Sequence, residues 1–153
     1  MSVLRLRIRN FQNEDLETLC EIDRVCFAEG IAFSRAELLS QIHNCKSITR
    51  VGEGLGRILG FVVAHIEDPA CAHVLTLDVV PEARRCGIGI SLMRAMHRVL
   101  AKEKIRTAVL EVSAQNLPAQ RLYEKLQYRY LETVCGYYQG REDAYRMVRT
   151  CQR

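Results

Sequence analysis

The chain has 153 residues, 48% apolar and 26% charged, enough to bury a sizeable core in one domain. Its 22 basic and 18 acidic residues leave a net charge of +4, which suits an anionic ligand but does not demand nucleic acid. No run reaches the roughly 18 apolar residues of a membrane helix. Residues 1–10 alternate Arg with aliphatics, unlike a secretory signal, so a cytoplasmic protein without a membrane partner is expected.

Leu4, Leu6 and Ile8 alternate with Arg5, Arg7 and Arg9, which predicts a strand with one buried face. Asn13 caps a predicted helix to about Phe27, with Leu16, Leu19, Cys20, Ile22 and Val25 or Cys26 inward. Ser34-Arg35-Ala36-Glu37 is a capping box for a short second helix through about Ile42. Between the two lies Ala28-Glu29-Gly30-Ile31-Ala32-Phe33, whose apolar tips make it a candidate substrate wall, with Phe33 as a candidate contact. Strands are predicted over Ser47 to Val51 and Ile58 to Ile66, joined by the glycine-rich segment Gly52 to Gly56. A fourth strand runs from His73 to Val80.

That strand enters Pro81-Glu82-Ala83-Arg84-Arg85-Cys86-Gly87-Ile88-Gly89-Ile90, and apolar residues at 88, 92, 96, 99 and 100 then predict a helix to about Lys102. The first N–H groups of a helix lack intrahelical partners and sit at its positive end. Glycine admits a ligand close to the backbone, and arginine adds charge and paired donors. The loop therefore predicts a phosphate or pyrophosphate site. A strand at Thr107 to Val112, a helix at about Leu117 to Leu126 with Asn116 as cap, and strands at about Tyr128 to Cys135 and Ala144 to Thr150 complete the chain. Glu142 and Asp143 read as turn residues. The order β-α-α-β-β-β-α-β-α-β-β implies a mixed sheet flanked by helices, with a right-handed parallel crossover over 73–112. It is not a Rossmann fold, because the third glycine and the acidic ribose contact are missing.

The seven cysteines, at 20, 26, 45, 71, 86, 135 and 151, are odd in number and have no C-x-x-C spacing. The four histidines, at 43, 65, 73 and 97, show no metal-ligand spacing. Neither a disulfide framework nor a metal is expected. Cys86 reads as a tolerated small residue in its loop.

Arg84-x-x-Gly87-x-Gly89 after Leu77-Asp78-Val79-Val80-Pro81, followed by Asn116 and Leu122-Tyr123-Glu124, resembles the acetyl-CoA loop and active-site segments of the GCN5-related N-acetyltransferases (GNAT). The second half, through Tyr137-Tyr138 and Gly140 to Ala144, is similar to the ribosomal-protein alanine N-acetyltransferases (RimI type) and their N-terminal acetyltransferase relatives. The resemblance implies an α/β (α+β) fold of about six or seven mostly antiparallel strands, a central parallel pair that splays apart, and about four helices. It implies acetyl-CoA as co-substrate. Arg84, Arg85, Cys86, Gly87, Ile88, Gly89 and Ile90 would hold the pyrophosphate. The backbone of Leu77, Asp78 and Val79 would pair with pantetheine, the Val79 amide would polarise the thioester carbonyl, and Asn116 would bond the pantetheine arm.

Acetyl transfer to an amine needs a neutral nucleophile, donors for the oxyanion and a proton for the thiolate. Glu111 stands in an otherwise apolar strand, where a carboxylate is costly unless it faces water or a partner. By resemblance it is the general base, and Tyr123 the acid that protonates the CoA sulfur. The bland alternatives are a solvated strand residue and a core aromatic. Tyr137 and Tyr138 would close the peptide groove or simply pack. An α-amine, with a pKa of about 7.7–8.0, is far easier to deprotonate than lysine at about 10.4. The acceptor expected is therefore a protein or peptide N-terminus, that of a ribosomal protein among them. Lysine or a small amine is the alternative acceptor, and a non-catalytic CoA-binding module is the alternative of another class. Two departures bear on the acceptor: Leu126-Gln127-Tyr128 stands where relatives carry Leu-Gly-Phe, and the 29–34 loop has neither proline nor tryptophan.

Overall fold

A computed structural model describes residues 5–27, 31–68 and 70–150. Seven strands form one sheet in the order β1-β2-β3-β4-β5-β7-β6. They are β1 (Arg7–Asn10), β2 (Ser47–Gly54), β3 (Arg57–Asp68), β4 (Cys71–Val79), β5 (Thr107–Ser113), β6 (Arg129–Tyr138) and β7 (Glu142–Thr150). Four α-helices accompany them: α1 (Leu16–Cys26), α2 (Arg35–His43), α3 (Ile88–Lys102) and α4 (Leu117–Lys125). Every strand pair is antiparallel except β4 with β5. The mixed sheet, the element order and the parallel crossover agree with the sequence. Leu4 of the expected first strand and residues 28–30 of the expected wall lie outside the described residues.

Boundaries shifted where glycine was read as a loop signal. Gly52 and Gly54 belong to β2, and the β2–β3 turn is only Leu55-Gly56. Both turn residues have positive φ, at 56° and 74°, as the tightest hairpin connections require. Likewise Glu142 opens β7, so the last hairpin turns at residues 139–141. Asn13 to Asp15 form a 3-10 turn ahead of α1. The Ser34 capping box is present, with the Glu37 amide donating to Ser34 Oγ at 3.1 Å.

Helix α3 buries Ile88, Leu92, Met93, Met96 and Leu100. Each such side chain stabilises the fold by about 1.5–3 kcal/mol. A Cβ on Gly60 of β3 would meet Leu92 of α3, so this helix lies on the face to which Gly60 points. Asp78, opposite Phe61, points to the other face and lies against Asp23 of α1. The sheet is thus sandwiched, with α1 and α2 on one face and α3 and α4 on the other.

Candidate active site

The parallel strands part almost as soon as they meet. Pairing of β4 with β5 covers only Cys71↔Thr107, Ala72↔Ala108 and His73↔Val109. Beyond His73, β4 still pairs with β3 and β5 with β7, so a gap opens between them. Backbone groups that face such a gap can bind a ligand as a strand would.

The register of β4 decides which of its groups face the gap. The Val80 amide donates to Leu59 O at 2.9 Å, so Val79 and Gly60 are a non-hydrogen-bonded pair. By the alternation of the ladder, Leu77 and Val79 turn N–H and C=O toward the gap, whereas Asp78 turns its own toward Phe61. The Val79 carbonyl is engaged by Arg84 Nε at 3.2 Å and Cys26 Sγ at 3.3 Å. Of the three residues expected to pair with pantetheine, Leu77 and Val79 are therefore oriented for it, and Asp78 presents only a side chain buried under α1.

A bulge sets the faces. Thr76 pairs with Val63 and Val74 with Ala64, which leaves Leu75 as an extra residue in β4. Side-chain alternation shifts there. Thr76 and Asp78 face α1, and below the bulge His73 faces the same way beside His65, whose Nε2 lies 3.0 Å from Gln41 O of α2. Leu77 and Val79 face α3, where a Cβ on Gly89 would meet both.

A cavity of about 790 Å³ runs through the gap. It brings together Leu77 on β4, Glu111 on β5, Asn116 and Tyr123 of the α4 region, Phe33 from the α1–α2 segment, and Tyr137 and Tyr138 of β6. Arg84 to Ile90 do not line it. They form the loop and first turn of α3, with Arg85 and Gly87 at φ 63° and 79° and Arg84, Arg85, Cys86 and Gly87 exposed. The Ser91 amide bonds Gly87 O at 3.0 Å, and the amides of Ile88, Gly89 and Ile90 precede the first intrahelical bond. A second groove of about 780 Å³, lined by Arg7, Glu21, Leu55 and Pro81 among others, contains none of the expected site residues.

Glu111 is not a solvated strand residue. Its side chain is only 6% exposed. His73 Nε2 lies 2.6 Å from its Oε2, and Arg146 Nε donates to its Oε1 at 3.2 Å. Burial pushes the Glu111 carboxyl up, but the bonds and charges of His73 and then Arg146 outweigh it and hold the group below the usual carboxylate range. The same bond to Glu111 lifts His73 above the ordinary imidazole value, against burial and with help from Glu67 at 3.0 Å. Sequence reading did not bring His73 to this site, where it contacts Glu111. The histidines show no spacing that marks a site, and a His–Glu contact across parallel strands has no local signal. Arg146 was missed for the same reason. Among the described residues no group of side chains has the makings of a metal site.

Tyr123 is 8% exposed and packs edge-on against Tyr128 at 5.8 Å between ring centres. Burial, then the nearby Asp78 and Tyr138, raise its phenol well above the ordinary value, so it keeps its proton at neutral pH. Tyr137 and Tyr138 meet edge to face at 4.9 Å, and burial pushes Tyr138 up to about 12. Asn116 Oδ1 caps α4 by accepting from the Ala119 amide at 3.2 Å, which leaves its amide nitrogen as the donor for a ligand.

A sheet split at a parallel pair, with a glycine-rich helix start beside the split, is the architecture of an acyl-CoA-binding acetyltransferase. A sequence model of the acetyltransferase (GNAT) family matches residues 16–128, and the chain belongs to that family. It is an acetyl-CoA-dependent N-acetyltransferase. An N-alpha-acetyltransferase of Sulfurisphaera tokodaii is 30% identical to it over 93% of this chain and 91% of that one. The crystal structure of Ard1 from Thermoplasma volcanium superposes with a TM-score of 0.90, at 25% identity, over 97% of this chain and 99% of that one. The ribosomal-protein-S18-alanine N-acetyltransferase of Escherichia coli superposes at 0.86, with 25% identity, over 95% and 94%. No described helix is long and apolar enough to cross a membrane.

Proposed function

We propose that this enzyme acetylates the free α-amine of a protein or peptide N-terminus, with Glu111 and His73 taking the amine's proton and Tyr123 supplying one to the leaving sulfur. The carrying observation is the chain of groups from cavity to surface. Glu111 lines the cavity, His73 lies 2.6 Å behind it with 20% exposure, and Glu67 beyond is 54% exposed. A proton collected by Glu111, directly or through water, has a route to solvent. The two groups act as one coupled site.

Magnitudes favour the α-amine. A carboxylate held below its usual range is a weak base on its own. The neighbouring imidazole, raised above its ordinary value, is the better proton acceptor of the pair, and an α-amine at about 7.7–8.0 asks less of it than a lysine at about 10.4. The names of the relatives point the same way, since one is an N-alpha-acetyltransferase and another acts on the alanine of a ribosomal protein. A ribosomal N-terminus is accordingly among the acceptors of this reading. Acetyl-CoA supplies the activated acyl group. The amides of Ile88, Gly89 and Ile90 with Arg84 and Arg85 suit its pyrophosphate, and the free edge at Leu77 and Val79, with Asn116, suits its pantetheine arm. The Val79 N–H is the donor assigned to the thioester carbonyl, and Phe33, Tyr137 and Tyr138 are assigned to the acceptor. A cytoplasmic place of action goes with this reading, in keeping with cysteines that have no disulfide spacing.

A panel of peptides with free and blocked N-termini, together with polyamines, tests the proposal. Free α-amines should be acetylated at least about tenfold faster in kcat/KM than lysines of blocked peptides, the direction set by their pKa difference. Equal turnover on blocked lysine peptides would sink it.

A further inference from the structure

Asp23 and Asp78 take no part in the chemistry above, yet they are the most deeply buried acids described, at 0% and 1% exposure. Each has one satisfied oxygen. Asp23 Oδ2 accepts the Phe33 amide at 2.6 Å, and Asp78 Oδ1 accepts the hydroxyl of Thr76. Each also has one buried oxygen with no donor, Asp23 Oδ1 and Asp78 Oδ2. The end of α1 lies on β4 here, with Cys26 Sγ 3.3 Å from Val79 O, and the two carboxyls are neighbours across that contact. Two carboxylates cannot both stay ionised at that range without a cation between them, and one proton satisfies both orphaned oxygens at once.

We propose that Asp23 and Asp78 share a single proton, and that this carboxyl pair is the positioning element of the acceptor side, tying the segment that carries Phe33 to strand β4. The inference rests on the acceptor reading of the cavity given above. Its reach follows from where the two acids stand. Asp78 is flanked in β4 by Leu77 and Val79, whose backbone faces the donor gap. Asp23 is in the last turns of α1 and holds the amide of Phe33, which shares the cavity wall with Phe27 and Ile31. With the proton in place, the pair is one hydrogen-bonded strut between donor strand and acceptor wall. Without it, two buried negative charges repel and the strut opens.

The other groups near the pair do not replace that proton. From α1 comes Cys26, whose thiol burial and Asp78 push up, so it stays neutral. From α4 comes the Tyr123 phenol, also neutral. From the loop after β4 comes Arg84, an exposed guanidinium whose charge only partly offsets the burial that, with Asp23, drives Asp78 well above the carboxylate range. The paired strand β3 offers Phe61, which has no charge. Because the folded pKa of Asp78 is raised, the folded state binds the extra proton. The stabilisation it gives is complete at low pH and is lost as pH rises through the raised value.

The test is acceptor KM, acetyl-CoA KM and kcat from neutral into alkaline pH, for wild type, Asp78→Asn and Asp78→Ala. Hydrogen exchange of the Phe33 amide is followed in parallel. The Asn amide can donate to Asp23 at any pH, so Asp78→Asn should keep wild-type acceptor KM at neutral pH and lack the alkaline rise that wild type shows. Asp78→Ala should raise acceptor KM by about tenfold, the loss of one buried partner, with kcat and acetyl-CoA KM within about twofold. Phe33 protection should fall in parallel. The amine's own titration is common to all three proteins, so the difference between wild type and Asp78→Asn isolates the pair, even if the alanine variant fails to fold. The same alkaline rise in Asp78→Asn as in wild type would overturn the shared proton. Loss of Phe33 protection with acceptor KM unmoved would instead overturn the positioning claim and the acceptor reading beneath it.

Discussion

The donor and acceptor halves proposed for this site are built in different ways. The donor half is local: residues 77–90 supply the free strand edge, the arginines and the helix start in one run of chain. The acceptor half is gathered from afar. Phe33 follows α1, His73 precedes the bulge in β4, Glu111 is on β5, Tyr137 and Tyr138 end β6, and Arg146 is on β7. A local element can be recognised by its motif alone. A gathered one exists only once the sheet register has put its members side by side, and the single extra residue at Leu75 is what brings His73 and Thr76 to one face.

If Tyr123 serves both halves as the acid at the split, Tyr123→Phe should cause the largest loss, about 10²–10⁴-fold in kcat. Near-normal affinity for both substrates would accompany it, checked by steady-state kinetics. An unchanged kcat would reduce Tyr123 to a core aromatic. His73→Gln should act on the acceptor half alone. We expect a loss of roughly 10- to 100-fold in kcat. Wild-type kcat should rise with pH through a value above that of ordinary histidine, because the Glu111 bond raises His73, and the variant should lack this limb. A pH–rate profile of kcat decides it. The smallest effect falls on the donor half. A Cβ on Gly60 would sit 2.5 Å from the Asp78 carbonyl oxygen, so Gly60→Ala must push on the donor strand. It should cost about 1–3 kcal/mol of stability, seen as a lower Tm. It should also weaken acetyl-CoA more than the acceptor.

That contrast also explains what could be read ahead of the structure. The Arg84 to Ile90 loop, the Ser34 cap and the crossover over 73–112 were legible because each rests on neighbours in sequence. Gly52 and Gly54 misled, because glycine in a strand and glycine in a turn look alike until pairing is known. Glu111 was recognisable by its motif, but its partners were not. The bond from His73 spans 38 residues and that from Arg146 spans 35, and neither follows a helical or strand period. Asp78 was legible as part of the donor strand, but its side chain belongs to the other half, held under α1 by Asp23.

The Glu111–His73 pair is proposed to carry the amine's proton in an N-terminal acetyltransferase. Its most direct test is turnover of a free α-amine peptide by Glu111→Gln, with acetyl-CoA affinity measured on the same preparation. A fall in kcat of about 10²–10⁴-fold is expected, with acetyl-CoA affinity unchanged. Wild-type turnover by that variant would contradict it.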